Sequence, residues 1–292
     1  MLDSLLELLI SADVHRSGSP LAALIAAGIG LLIGSFLNVV IHRLPKMMQR
    51  EADNYLAHET GNTAPHTDRY NLLTPRSACP HCAAPVAIGH NIPVLGYLLL
   101  RGRCARCEAV ISPRYPLVEI LSALMSAWLG WHFGLGAAGL AALAFAYFLI
   151  ALSVIDAQTQ LLPDSLTLPL LWLGLLVNLN GGFAPLSDAV LGAAAGYLAL
   201  WIIYWVFRLA TGKEGMGYGD FKLMAALGAW LGWQALPLVL LLASCLGAAV
   251  GIAMVLAKRQ AADHPLPFGP YLAIAGMLML LYGKSFLYLG LY

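Results

Sequence analysis

Residues 135–156 read LGAAGLAALAFAYFLIALSVID, a run of 21 residues without a charge that ends at Asp156. About 20 consecutive apolar residues are enough for an α-helix to cross the hydrocarbon core of a bilayer. This run therefore predicts a membrane-spanning helix. Because a carboxylate at the edge of lipid is costly, Asp156 is a candidate functional residue.

The whole chain has the same apolar character. Of its 292 residues, 60% are hydrophobic and 11% are charged, and the mean hydropathy is +0.77. Soluble globular chains carry about 25% charged residues, so the composition argues against a soluble multidomain enzyme. It indicates an all-α polytopic membrane protein. Asp3 and Glu7, with no basic residue before the first apolar stretch, do not fit a signal peptide.

We predict eight spanning segments, of which the fourth and sixth are short: residues 21–41, 115–133, 135–155, 165–179, 187–207, 220–231, 235–257 and 266–282. The connection between Ile41 and Tyr115 holds nine of the 16 Lys and Arg residues. Five others fall on the same side of the predicted membrane: Arg208, Lys213, Lys222, Lys258 and Arg259. Positive residues mark the cytoplasmic side, so we expect both termini outside and the long loop inside.

This orientation gives a domain plan. We assign residues 1–20 to a periplasmic N-terminal segment and residues 21–41 to the first transmembrane helix. Residues 42–114 form a cytoplasmic loop, and residues 115–292 form a membrane-embedded domain.

A second candidate carboxylate stands in the motif Gly217-Tyr218-Gly219-Asp220. Glycines lack a Cβ, so they permit a sharp turn and the close approach of an extended peptide. Asp156 ends the third predicted span and Asp220 begins the sixth on the same side, so packing of these helices would bring the carboxylates together. Such a pair shares a proton, activates water and protonates a leaving amine. The alternative is that both aspartates are helix caps at the interface.

The long loop contains a cysteine pattern typical of a metal site. Cys79 and Cys82 form one Cys-x-x-Cys pair, and Cys104 and Cys107 form another, with 21 residues between the pairs. This spacing favours a structural zinc ion bound by four thiolates, because four ligands leave no open position for catalysis. Disulfides or redox thiols are the alternatives, and a reducing cytoplasm disfavours disulfides. His81 fits a knuckle residue better than a ligand.

Three other polar residues have two interpretations each. Asp164 follows Pro163 and is expected to be an N-cap or a substrate contact. Lys222 is expected to extend to the membrane interface or to tune the aspartate pair. Glu119 is expected to pair with a basic residue or to take part in substrate binding.

Three further patterns concern the backbone. The segment Pro267-Phe268-Gly269-Pro270 is either a wall of an active-site cleft or a plain helix start. Residues 50–71 are polar and are expected to form a mobile insertion. The Gly-x-x-x-Gly motifs at residues 30–34 and 192–196 predict close helix packing.

Together these motifs resemble the type IV prepilin peptidases, membrane aspartyl proteases of the Gly-x-Gly-Asp type. The resemblance spans most of the chain from Gly34 to Pro270 and includes the cysteine block. The other matching stretches are GSFLNVVIHRLP at 34–45, Asn91-Ile92-Pro93, YPLVE at 115–119, DAQTQLLPD at 156–164, GMGYGDFK at 215–222 and PFGP at 267–270.

The resemblance implies a bifunctional enzyme of the bacterial inner membrane with its active site facing the cytoplasm. Such an enzyme cuts the basic leader from type IV prepilins and the pseudopilins of type II secretion after a glycine. It then methylates the new N-terminal residue with S-adenosylmethionine. Asp156 and Asp220 occupy the positions of the family's catalytic aspartates.

The methyl donor has no recognisable binding motif, because no glycine-rich loop follows a predicted strand. We expect S-adenosylmethionine to bind around the cysteine pairs, with residues 91–102 as a candidate wall. The lipid bilayer is an expected partner and nucleic acid is not.

Two functions from other classes are alternatives. One is a proton-coupled transporter in which Asp156 and Asp220 relay protons and the cysteine loop is a regulatory zinc module. Against it, the acids lie at one face and no inverted repeat is visible. The other is a scaffold that uses the zinc loop for docking, which leaves the paired acids without a purpose.

Overall fold

The structure, a computed structural model, describes residues 15–257 and 266–288. Residues 1–14, most of the predicted periplasmic segment, lie outside the described residues. So do Lys258 and Arg259, two of the basic residues on which the expected orientation rests. Within the described part, the regular structure is helical apart from two isolated β-bridges, Ala78 with Pro85 and Arg103 with Val110. The expectation of an all-α protein is confirmed.

The α-helices, numbered in chain order, are α1 (Pro20–Glu59), α2 (Leu95–Leu99), α3 (Arg114–Phe133), α4 (Ala137–Thr159), α5 (Asp164–Asn178), α6 (Leu186–Thr211), α7 (Tyr218–Leu231), α8 (Leu236–Leu256) and α9 (Gly269–Tyr288). Among the described residues, four helical segments are long and apolar enough to cross a membrane: α1, α4, α6 and Trp233–Leu256, which contains α8. Helix α5 and residues Gly269–Gly283 of α9 are shorter apolar helices.

Helix α1 corrects the expected start of the long loop. It begins where the Ser19 side chain accepts a hydrogen bond from the N–H of Ala22, and it continues for 40 residues to Glu59. Residues 46–59 are polar, but most of them are good helix formers, so helix propensity carries the helix beyond the apolar segment. The expected mobile insertion is therefore helical in its first half.

The second half of that polar run folds back on α1. Asn54 and His66 exchange two hydrogen bonds of 2.9 and 3.0 Å, and Arg50 forms an ion pair of 3.1 Å with Asp68. Composition indicated disorder here, but these contacts give residues 60–71 a defined path.

The chain divides into two compact units, Met1–Leu143 and Ala144–Tyr292. In the first, α1 packs along α3 through small residues. A Cβ on Gly30 would lie 2.5 Å from Ser126 Oγ, and a Cβ on Gly34 would lie 2.9 Å from Glu119 Cα. The predicted close helix packing at this motif is confirmed. Because α3 pairs with α1, both helices belong to the first unit.

In the second unit, α7 is the central helix and contacts α5, α6, α8 and α9. Its residues from Asp220 to Trp230 are buried except for Lys222. Gly196 of α6 makes this approach possible, because a Cβ there would lie 2.6 Å from the carbonyl oxygen of Met224. The second predicted packing motif is thus confirmed as well.

Polar side chains satisfy the buried C-terminal end of α7. Asn178 donates hydrogen bonds to the carbonyls of Ala229 and Trp230, and the Trp230 indole N–H donates to the Leu170 carbonyl. Unpaired carbonyls at a buried helix end would be costly. These contacts therefore fix α7 against α5.

Helix α4 lies antiparallel to α7. The rings of Phe145 and Trp230 are 4.8 Å apart between centroids at one end, and Asp156 interacts electrostatically with Asp220 at the other. The spacing between Phe145 and Asp156 in α4 is about the same as the spacing between Asp220 and Trp230 in α7. This arrangement is the helix pairing that the sequence required for the two aspartates to meet.

Candidate active site and metal site

Asp156 lies in the last turn of α4, and its side chain is held by a backbone amide. It is 5% exposed, and its Oδ2 atom accepts a hydrogen bond of 2.9 Å from the N–H of Gly269. Gly269 is the first residue of α9, where backbone N–H groups lack partners within the helix. Asp156 therefore caps a helix other than its own, which differs from the cap at the interface that was the alternative interpretation.

Asp220 is in the first turn of α7, whose N-cap is Gly217. It is 7% exposed, and within the described part of the chain its Oδ1 atom is buried without a hydrogen-bond partner. A buried carboxylate oxygen without a partner is costly. Such an atom is available to a water molecule or a substrate.

The two glycines of the motif differ from the predicted turn. Gly217 has extended backbone angles, and Gly219 is inside α7, so neither uses the left-handed conformation that glycine permits. A Cβ on Gly219 would lie 2.7 Å from Leu162 Cβ, so this residue is small because of packing. A Cβ on Gly217 would lie 3.9 Å from Asp220 Oδ2, so its absence leaves space beside the carboxylate.

Leu162 is a site residue that the sequence did not single out, whereas Gly269 lies in the Pro-Phe-Gly-Pro segment that was a candidate wall of the cleft. A Cβ on Gly269 would lie 2.7 Å from Asp156 Oδ2 and 3.2 Å from Leu162 Cδ2. Leu162 therefore contacts both the glycine before Asp220 and the glycine that binds Asp156. The Pro-Phe-Gly-Pro segment is the sequence pattern that marks Gly269, because a glycine between two prolines indicates an unusual helix start.

Asp164 and Lys222 form an ion pair that neither interpretation of the two residues included. Lys222 Nζ lies 2.7 Å from both carboxylate oxygens of Asp164. Asp164 is the first residue of α5, and its helix has Pro163 at the N-cap, so the aspartate is not the cap. Lys222 points to this partner and does not simply extend to the interface. The pair joins the starts of α5 and α7.

Glu119 belongs to the first unit, unlike the two aspartates. It is 8% exposed, and its Oε2 atom accepts a hydrogen bond of 2.7 Å from the N–H of Val94. Val94 has a φ of +60°, which is unfavourable for a β-branched residue. Glu119 thus holds the strained residue that precedes α2.

The four cysteines of the loop meet as predicted. Their Sγ atoms lie within 4.8 Å of one another, with Cys79 and Cys107 at 3.8 Å and Cys82 and Cys104 at 4.0 Å. A tetrahedral zinc ion with Zn–S bonds of about 2.3 Å needs sulfur atoms about 3.8 Å apart. The cluster therefore fits a metal ion. His81 is not part of it, and Cys245 is a separate free cysteine.

The two cysteine pairs are built as equivalent knuckles, which we number knuckle 1 (residues 77–86) and knuckle 2 (residues 102–111). The Cys79 N–H donates to the Ala84 carbonyl, as the Cys104 N–H does to the Ala109 carbonyl. The residue after each second cysteine has a positive φ, 55° at Ala83 and 57° at Glu108. An offset of 25 residues relates the knuckles throughout, as Cys79 and Cys104 illustrate.

Backbone amides prepare these thiols for metal binding. The N–H groups of Arg106 and Cys107 lower the pKa of the Cys104 thiol to about 6. Those of Cys82 and His81 lower the pKa of Cys79. The Ala109 N–H acts in the same direction on Cys107, but the neighbouring thiols and burial raise the pKa of Cys107 to about 12. A divalent cation would remove this mutual repulsion by binding all four as thiolates.

The structure thus defines a helical protein with four segments able to span a membrane, a buried pair of aspartates and a four-cysteine cluster. A family described as the Type IV leader peptidase family matches residues 143–252, and the Bacterial Peptidase A24 N-terminal domain matches residues 29–133. The chain belongs to the type IV leader peptidase family.

Curated relatives match nearly the whole chain. The prepilin leader peptidase/N-methyltransferase of Aeromonas salmonicida (strain A449) is 58% identical over 258 residues, which are 87% of this chain and 89% of the relative. The enzyme of the same name from Stutzerimonas stutzeri is 54% identical over 271 residues, 92% of this chain and 94% of the relative. The one from Pseudomonas aeruginosa is 54% identical over 261 residues. No solved structure matches the chain.

These comparisons confirm the resemblance and the assignment to an enzyme class that is both protease and methyltransferase. They give no support to the transporter alternative. The apolar helices and the family together indicate an inner-membrane protein.

Proposed function

We propose that this protein removes the leader peptide of type IV prepilins and related pseudopilins and then methylates the new N-terminal residue. The observation that carries the proposal is the pairing of Asp156 and Asp220, two buried carboxylates in electrostatic contact, in a chain that is more than half identical to prepilin leader peptidase/N-methyltransferases. Aspartate pairs of this kind hydrolyse peptide bonds through an activated water molecule.

The hydrogen bonds suggest separate roles for the two catalytic aspartates. The Gly269 N–H donates to Asp156, and an N–H donor suits an ionised carboxylate. Asp156 is therefore the general base that takes a proton from water. Asp220, whose Oδ1 atom has no partner among the described residues, carries the shared proton.

The reaction follows from these roles. The water oxygen attacks the scissile carbonyl carbon as Asp156 takes its proton, and Asp220 donates a proton to the carbonyl oxygen. The tetrahedral intermediate then collapses as a proton passes to the leaving amine and the C–N bond breaks. Gly217 leaves open the space beside Asp220 through which an extended peptide can approach.

The substrate's apolar N-terminal helix is proposed to lie against the spanning helices, with its basic leader at the cytoplasmic surface. Eight spans, with both termini outside, place Asp156 and Asp220 at the cytoplasmic face. Helix α5 has 15 residues and α7 has 14, so the length of each is less than the thickness of the hydrocarbon core. Neighbouring helices cover α7 on several sides.

The four cysteines are proposed to bind one structural zinc ion, which fixes the two knuckles because the loop has little apolar core of its own. When bound, S-adenosylmethionine would supply the methyl group: the free α-amine would gain it and lose a proton, and S-adenosylhomocysteine would leave as the neutral thioether. The peptidase residues and the cysteines belong to different units. We therefore expect the two activities to be separable by substitution.

The test is mass spectrometry of a prepilin incubated with the purified, detergent-solubilised protein and S-adenosylmethionine. We expect the wild-type protein to remove the leader and add one methyl group. Asp156→Asn and Asp220→Asn should each leave the substrate intact while keeping one zinc ion per chain by metal analysis. Cleavage by both variants at the wild-type rate would disprove the aspartate assignment.

A further inference from the structure

Knuckle 2 borders an open cleft that knuckle 1 does not line. The cleft has a volume of about 650 Å³. Binding sites for small ligands have volumes of about 300–1,000 Å³. Its walls come from the segment that leads from α2 into knuckle 2 and from knuckle 2 itself: Leu99, Leu100, Arg101, Arg103, Cys104, Ala105 and Glu108.

The charges of this cleft are not needed to fold the knuckle. The 25-residue offset pairs Arg103 with Ala78 and Glu108 with Ala83, and knuckle 1 forms the same hydrogen bonds and the same β-bridge with alanine at both positions. Glu108 even occupies a left-handed conformation, with a φ of +57°, that does not favour glutamate. Local structure therefore does not explain why these side chains are charged.

These side chains are also free to bind a ligand. Arg101, Arg103 and Glu108 are exposed, and none forms an ion pair or side-chain hydrogen bond with another described residue. Two guanidinium groups and one carboxylate beside two leucines suit a molecule with a zwitterionic amino-acid end and an apolar or aromatic end. Guanidinium groups bind carboxylates in bidentate geometry, and a carboxylate binds an ammonium group.

We propose that this cleft binds S-adenosylmethionine. Arg101 and Arg103 would bind its α-carboxylate, Glu108 its α-ammonium group, and Leu99 and Leu100 its adenine ring. This proposal rests on the proposed function and deepens it, since it assigns the methyl donor to specific residues of the first unit. Single exposed ion pairs are weak, so the affinity requires these contacts together.

The experiment measures equilibrium binding of S-adenosylmethionine to the full-length protein in detergent by isothermal titration calorimetry. We expect Arg103→Ala and Glu108→Ala each to weaken binding at least tenfold. Both substitutions install the residue that knuckle 1 already has, so the fold should tolerate them, and zinc content checks this. Arg76→Ala is the matched control, because Arg76 immediately precedes knuckle 1 as Arg101 precedes knuckle 2, and Arg76 does not line the cleft. Its affinity should equal that of the wild type.

A second readout does not depend on the variants. Ultraviolet cross-linking of radiolabelled S-adenosylmethionine to the wild-type protein, followed by peptide mapping, should label residues 99–108. Label found only elsewhere, or wild-type affinity in both cleft variants, would overturn the assignment of the cleft.

A parallel assay of prepilin cleavage distinguishes a wrong cleft assignment from a wrong proposed function. The cleft variants should still remove the leader at the wild-type rate, because Asp156 and Asp220 are untouched. If the wild-type protein cuts prepilin but neither binds S-adenosylmethionine nor methylates the product, the methyltransferase half of the proposed function is wrong, and the cleft assignment falls with it. If the wild-type protein binds the methyl donor and the variants bind equally well, only the cleft assignment is wrong.

Discussion

At the scale of single residues, the main chain holds the proposed catalytic carboxylates. Asp156 binds the N–H of Gly269, and Asp220 has open space on the side of Gly217. The glycines of this site therefore act through the space that they leave and not through unusual backbone angles. A methyl group on Gly269 would move the Asp156 carboxylate, whereas one on Gly217 would fill part of the open space beside Asp220.

Gly269 gives the sharpest prediction at this scale. In Gly269→Ala, the new Cβ would lie 2.7 Å from Asp156 Oδ2, so the carboxylate has to shift and lose its hydrogen bond. A displacement of about 1 Å at a reacting group can cost about 100-fold in rate, and we expect leader cleavage to fall by roughly that factor. The measurement is the initial rate of prepilin cleavage.

Gly283→Ala is the control, because it lies in the same helix and its new Cβ would meet Met279 Cε at an ordinary 3.4 Å. Its cleavage rate should stay within about twofold of the wild type. Wild-type activity in Gly269→Ala would mean that Asp156 does not need this contact.

At the scale of secondary-structure elements, the short connection between α4 and α5 organises the site. It carries Leu162, which packs against Gly219, and it ends at Asp164, which is paired with Lys222. Gln160 in this connection has a φ of +54°, so its backbone is held in a sparsely populated conformation. The ion pair is therefore expected to fix the position of Leu162 between the two aspartate-bearing helices.

This role predicts a loss of activity larger than the loss of stability. The side chains of Lys222 and Asp164 are 31% and 55% exposed, so breaking the pair should lower the free energy of unfolding by at most about 1 kcal/mol. We expect Lys222→Ala and Asp164→Ala each to slow prepilin cleavage about tenfold, because Leu162 loses its fixed position. The exchange of the two residues in one chain should restore part of the rate.

Glu214→Ala serves as the matched control, since it breaks another exposed ion pair of the same unit, the one of 3.6 Å with Arg208. It should leave the rate unchanged. Independent effects of the two single substitutions in the double variant would contradict a coupled pair.

At the scale of the whole molecule, the features that could be predicted from the sequence are those that depend on residues close together in the chain. The four helical segments able to span a membrane, the cysteine cluster and the two packing motifs follow from apolar runs and fixed spacings, which a sequence displays directly. The end of α1 could not be placed by hydropathy, because helix propensity continues after the apolar residues stop. The partners of Asp156, Glu119 and Lys222 come from segments distant in sequence, and spacing alone does not reveal them.

The membrane orientation is the remaining large-scale prediction. Nine of the 16 Lys and Arg residues lie between Ile41 and Tyr115, so insertion should keep this region in the cytoplasm. Reporter fusions test it at four connections, after Asn62, Gly136, Asn180 and Gly212. We expect green fluorescence from the fusions at Asn62 and Gly212, and alkaline phosphatase activity from those at Gly136 and Asn180, because phosphatase folds only in the oxidising periplasm.

The fusion at Gly212 decides the mechanism, because it lies eight residues before Asp220. The four-cysteine loop and both aspartates must share one side of the membrane if one enzyme cuts a leader and then methylates the product on that side. Fluorescence at both Asn62 and Gly212 would place them together. Phosphatase activity at Gly212 would put Asp220 on the opposite side from the cysteines, and the proposal that cleavage and methylation both take place on the cytoplasmic side would then be wrong.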